Sequence, residues 1–221
     1  MDVPGPHRFD YTAELDRVRV ALGELAAEAS RIVTAATVAV AGPDAGRADT
    51  AAVHAALQSL QVRSRKLDDE LVVLLACQNP VAGDLQLVVA CLRIATGVER
   101  MGELADHIAA TADLRRPAPV VPAPLRPTIT HLGRLCGDLA DQLAAAIRKD
   151  DREAARQVED ADDQIDQIHR RLLATLTDSA WPYGIQSAVD LTLLSRYYER
   201  FGDQAVTAAR RLAGIHPATT R

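Results

Sequence analysis

The chain has 221 residues, of which 48% are hydrophobic and only 3% aromatic, and its formal net charge is −5. Aromatics this scarce, beside abundant Ala and Leu, exclude a β-sandwich core and favour helices packed through small and aliphatic side chains. The acidic balance excludes a nucleic-acid footprint, and no apolar run reaches the length of a membrane span, so a cytoplasmic protein, peripheral to a membrane at most, is expected.

Six helices follow in chain order. The first covers about Tyr11 to Val40, with Leu15, Val18, Leu22, Leu25 and Ile32 at helical spacing, and stops at Gly42-Pro43-Asp44-Ala45-Gly46. The second runs from about Arg47 to Cys77, and the third from about Val81 to Asp113, with Pro80 in its opening turn, where a missing N–H costs nothing. Between Arg115 and Pro127 the density of prolines forbids a helix, and an extended connector is expected. Three more helices span about Thr128 to Lys149, Asp151 to Thr177 and Tyr183 to Leu212, the last two separated by Trp181-Pro182-Tyr183-Gly184. Short loops between long helices force antiparallel neighbours, so the expected fold is all-α: two tandem three-helix bundles related by internal duplication, at residues 10–114 and 128–214, joined by a Pro-rich linker at 115–127.

The duplication is visible in a repeated motif. Val98-Glu99-Arg100-Met101-Gly102-Glu103-Leu104-Ala105 returns as Tyr198-Glu199-Arg200-Phe201-Gly202-Asp203-Gln204-Ala205. In each copy two carboxylates lie four residues apart, one above the other on a helix face, and their repulsion is relieved only by something positive. The fifth helix adds Asp162 and Asp166 with the same spacing. All three pairs sit one step beside the apolar stripes, which run through Val98, Met101 and Ala105, through Val158, Ile165 and Leu172, and through Tyr198, Phe201 and Ala205. They therefore belong to a bundle edge. Oxygen-only donors of this kind suit a hard cation such as Mg or Mn, or iron, better than zinc; a solvated acidic helix face is the plainer alternative. A glycine inside a helix costs about 1 kcal/mol, so Gly102 and Gly202 suggest a close approach there.

Ala76-Cys77-Gln78-Asn79-Pro80-Val81-Ala82-Gly83-Asp84-Leu85, both Glu-Arg-x-Gly-acid copies and Asp162-Asp163-Gln164-Ile165-Asp166 together resemble the PhoU family, over about Tyr11 to Leu212. Trp181 and Tyr197-Tyr198-Glu199-Arg200-Phe201 are most similar to its actinobacterial branch. The resemblance implies two three-helix bundles, no enzymatic activity and no organic cofactor. It implies a cytoplasmic negative regulator of phosphate uptake and of the phosphate-starvation response, in contact with the ATPase of a phosphate transporter and with a sensor histidine kinase. It also implies metal binding, here by Asp162, Asp166, Glu199 and Asp203, with Arg196 three residues before the glutamate and Arg100 and Arg200 inside the motifs. The first half departs from the pattern: Leu57 and Gln61 stand where the facing acids are expected, Thr96 stands three before Glu99, and only Glu99 and Glu103 remain. A homodimer is compatible with the resemblance, although no stripe is surplus to the bundles.

Cys77, Cys91 and Cys136 are too scattered for a disulfide framework or zinc site and read as small buried hydrophobes. His54, His107, His131 and His169 read as surface, rim or partly buried residues; Asp166-x-x-His169 and Glu103-x-x-x-His107 fit the Glu-x-x-His pattern of di-iron bundles poorly. Two alternatives stand beside the regulator: a di-metal carboxylate enzyme, oxidase or hydrolase, with inward-facing ligands, and a metal-free helical adaptor whose acidic edge docks a basic partner.

Overall fold

In the computed structural model residues 6–45, 47, 49–78 and 82–214 are described, and Pro80 falls outside them. The helices are α1 (Pro6–Ala41), α2 (Ala51–Gln78), α3 (Ala82–Asp113), α4 (Arg126–Lys149), α5 (Arg152–Leu176) and α6 (Gly184–Ala213), and the described residues include no strand. α1, α2 and α3 pack on one another, as do α4, α5 and α6, so each half is a three-helix bundle.

Local chemistry sets the boundaries. α2 begins at Ala51, later than its periodicity suggests, because Asp49 Oδ1 accepts the Ala51 N–H (2.9 Å) and the Thr50 carbonyl accepts from Val53 and His54. α4 begins two residues early, at Arg126, since Pro127 fits a first helical turn. It ends at Asp150, which takes a left-handed conformation (φ 51°), and Asp151 then caps α5 by accepting the N–H groups of Glu153 and Ala154. α6 opens at Gly184 (φ 77°), whose carbonyl accepts the Trp181 indole N–H at 2.9 Å.

The two halves share one core. α1 lies along α4 and α3 along α6, and the buried residues of all six helices form a single apolar cluster. The α1–α4 seam is close because it is built on small residues: a Cβ on Gly133 would overlap the Thr37 side chain, and one on Gly137 would lie 3.2 Å from Thr34 Oγ1. Polar groups tie it. Ser30 Oγ donates to the Gly137 carbonyl (3.1 Å) and Arg148 donates to the Gly23 carbonyl (3.1 Å), while the Thr37 hydroxyl ties α1 to α6 by meeting that of Tyr198 at 2.9 Å.

The linker is not the extended spacer expected from its prolines. It makes successive turns, closes a 3₁₀ turn at Ala123–Leu125, and buries Val120 and Val121. At its start the Arg115 guanidinium grips the Asp190 carboxylate of α6 with two bonds, Nε to Oδ2 at 2.7 Å and Nη2 to Oδ1 at 3.0 Å. Proline removed the helix, but the apolar pair after it still sought the core.

Two further expectations are corrected. Cys91 and Cys136 are buried, but Cys77 is exposed near the end of α2, where the periodicity that made it a core residue runs out. And α6 does carry a surplus stripe: Ile185 (85% exposed), Val189 (47%) and Leu193 (48%) follow one another at four-residue spacing, with Tyr183 beside them. They flank a groove of about 510 Å³ floored by Leu176, Trp181 and Ala188. The stripe was missed because α6 has a second, stronger apolar face through Leu191, Leu194, Tyr198 and Phe201, which the bundle buries.

Candidate functional site

The repeated motifs sit on α3 and α6 with their glycines buried and their carboxylates at the bundle edges. In the second half Gly202 lies against Asp162 of α5, and in the first half Gly102 lies against Leu57 and Leu60 of α2. Leu57 thus occupies the place that Asp162 takes in the second half. The close approach implied by the glycines is made by side chains of the neighbouring helix.

Asp162, Asp166 and Glu199 are half-buried and Asp203 is exposed. Burial pushes the Asp162 carboxyl up to about 7, and the charges of Asp166, Asp203, Glu199 and Asp163 push in the same direction. Glu199 is also raised, by burial first and Asp203 second, with Arg196 acting against both. Arg196 pairs with Glu199 Oε1, whereas Glu199 Oε2 and Asp162 Oδ1 are buried without a hydrogen-bond partner. Buried unpaired carboxylate oxygens beside like charges form an arrangement that a cation would relieve. Donor chemistry therefore fits Mg, Mn or iron at Asp162, Asp166, Glu199 and Asp203. The spacing is a separate matter: among the described residues no group of three or more His, Cys, Asp or Glu side chains is gathered tightly enough to hold a metal ion. The four predicted ligands share one edge without closing a coordination sphere.

In the first half Glu99 and Glu103 are half-buried, and Arg100 pairs with Glu103 at 2.8 Å. Facing apolar Leu57 and a local guanidinium, this pair has neither the like-charge crowding nor the opposing acids of the second. Arg200 is half-buried and lies outside these ion pairs.

One pairing at the second-half edge was not legible in the sequence. His169 Nδ1 meets Ser195 Oγ at 3.0 Å, and that hydroxyl donates onward to the Thr192 carbonyl, so the imidazole N–H is the donor. Burial, with the Arg196 charge, lowers the pKa of His169. The only signal for it was Ser195 on the apolar face one turn from Glu199. His107 is exposed and meets Tyr197 across the two halves in a tilted ring contact, centroids 5.3 Å apart; half-buried His54 pairs with Asp106; half-buried His131 accepts from Arg134 at 3.0 Å.

Comparison with known proteins decides the family. The profile of the PhoU domain matches this chain twice, at residues 22–112 and 129–212, once per bundle. The chain belongs to the PhoU family. The phosphate-specific transport system accessory protein PhoU homolog 1 of Mycobacterium leprae is 36% identical over 205 residues, covering 93% of this chain and 91% of its own. PhoU homolog 2 of Mycobacterium tuberculosis is 35% identical, with 93% and 95% covered. Both are named as transport accessory proteins, not as enzymes. Among solved structures, PhoU from Pseudomonas aeruginosa superposes with a TM-score of 0.77 at 22% identity, over 93% of this chain and 98% of that one. The phosphate transport system regulatory protein PhoU from Streptococcus pneumoniae gives 0.78 at 20% identity, over 95% and 96%. These two share the helical-bundle fold of this PhoU chain. No described helix is long and apolar enough to cross a membrane.

Proposed function

We propose that this PhoU chain is a cytoplasmic accessory protein of a phosphate-specific transport system. It represses uptake and the starvation response by contact with the transporter ATPase and a sensor histidine kinase. Its relatives are named for the transport system, and the observation that carries a contact role is the solvent-facing Ile185–Val189–Leu193 stripe beside an apolar groove. Apolar residues of this kind, unused by their own bundle, mark a surface for a partner. Co-purification with the ATPase subunit of its own transporter tests this. Ile185→Glu/Leu193→Glu should fold normally and lose the partner; retention at wild-type level would remove the stripe from the interface.

The second-half edge is the proposed modulating input. Asp162, Asp166, Glu199 and Asp203 would hold Mg, Mn or iron, and the ion supplies a countercharge that changes the face offered to a partner. The orphaned oxygens of Asp162 and Glu199 support this reading. One observation favours a metal-free adaptor instead: Arg196 already supplies Glu199 with a cation. Calorimetric titration with Mn²⁺ of the wild type and of Glu199→Ala/Asp203→Ala separates the two, since equal heats from both proteins would leave only the adaptor.

A further inference from the structure

A Cβ built on Gly202 would overlap Oδ1 of Asp162 and lie 3.2 Å from its Cγ and 3.3 Å from Ile165 Cδ1. That same Oδ1 is buried and has no hydrogen-bond partner. The Asp162 carboxylate thus occupies a notch between α5 and α6 that exists because residue 202 has no side chain. In the other repeat Gly102 opens an equivalent notch, but Leu57 Cδ1 at 3.1 Å and the Leu60 methyls at 3.5 Å fill it. Alanine is the better helix former at such an interior position, so the value of glycine here lies in the space it leaves.

We infer that Gly202 is a positioning residue: it admits the Asp162 carboxylate into the α5–α6 interface and so holds it beside Asp166, Glu199 and Asp203, the edge that would receive a cation. This rests on the cation reading of that edge. The space alone does not create the site, because Gly102 has the same space with an apolar occupant. A notch at residue 202 together with an acid at residue 162 is what sets the second half apart.

Full-length Gly202→Ala and Gly102→Ala, each with and without Asp162→Ala, test the inference through three readouts. Mn²⁺ affinity by calorimetry should fall at least tenfold in Gly202→Ala and change less than twofold in Gly102→Ala. Without metal, Gly202→Ala should lower the melting temperature of the wild type but raise it in the Asp162→Ala background, where the added methyl has room. That double variant should therefore fold even if the single one does not. In a Cys77→Ser background, where Cys91 and Cys136 are buried, a thiol reagent should label Asp162→Cys several-fold faster once Gly202→Ala is added. Unchanged Mn²⁺ affinity in Gly202→Ala overturns the positioning role. Equal melting shifts with and without Asp162, together with unchanged thiol labelling, overturn the notch itself. Absence of Mn²⁺ binding by the wild type sinks the cation reading, while the melting and labelling arms still judge the notch.

Discussion

Asp162→Asn should stabilise the metal-free protein at neutral and alkaline pH and do nothing in acid. Burial, helped by Asp166, Asp203, Glu199 and Asp163, lifts the Asp162 carboxyl from an ordinary 3.8 to about 7 in the folded chain. Between those values the folded state holds a proton that the unfolded chain has released. The resulting stability is complete below the unfolded value and is lost as pH rises through the folded one. A shift of about three units would amount to about 4 kcal/mol at 1.36 kcal/mol per unit. The side chain is only half-buried, and solvent screening reduces the figure to about 2 kcal/mol. Asparagine carries no charge at any of these pH values. The variant should therefore exceed wild type by about 2 kcal/mol at pH 8, or roughly 4–8 °C in melting temperature for a chain of this size. Urea unfolding followed by far-UV circular dichroism, in chelator, from about pH 4 to about pH 8 reads this difference. Wild type and variant should converge at the acid end. Parallel stability profiles across the range, or an advantage that grows toward acid, would refute the reasoning. Saturating Mn²⁺ at pH 8 should shrink the gap, because a cation bound only by folded wild type adds about 2.7 kcal/mol at a hundred times its Kd.

Three further outcomes follow from the shared core. Tyr198→Phe removes a buried hydroxyl that meets Thr37 Oγ1 at 2.9 Å, and a loss of about 1 kcal/mol is expected in urea unfolding, with secondary structure unchanged. Gly133→Ala should cost about 1–3 kcal/mol despite alanine's helix propensity, because its Cβ would overlap Thr37; calorimetry showing a raised melting temperature would mean that the α1–α4 seam is looser than described. Arg115→Ala leaves buried Asp190 with only Gln186 as a side-chain partner and should lower stability in urea unfolding at neutral pH. The Arg115 hydrogen bond depresses the Asp190 pKa, so this contribution is present above the unfolded carboxyl value and fades as pH falls through the folded one, and wild type and variant should converge in strong acid.

Much of the site could be read along the chain because it is local. The four-residue spacing of Glu199 and Asp203, or of Asp162 and Asp166, is a property of one helix and needs no partner to interpret. The family's motif pattern even identified Leu57 as the residue facing the first motif, and a Cβ at the Gly102 position would lie 3.1 Å from its methyl. Burial was less legible. The apolar stripe predicted for α6 is the face its bundle covers, but Ile185, Val189 and Leu193 form a second one that nothing in the described chain covers. Periodicity reports apolar faces and does not say which of them finds a neighbour. Cys77 fails for the same reason: its context is apolar, yet its side chain is exposed.

By itself the sequence determined six helices, their division into two homologous halves, the carboxylate pairs and the half in which the facing acids are missing. These depend on spacing within a helix, on comparing one repeat with the other or, for the missing acids, on the family's motif pattern. Only the tertiary structure decided that α1 and α4 close the halves into one core, that Val120 and Val121 hold the proline-rich linker against it, and that Asp162 rests in the notch left by Gly202. Those features depend on which surfaces meet between elements that are distant along the chain. Desolvation, the cause of the raised Asp162 carboxyl, exists only once a second helix has displaced the water.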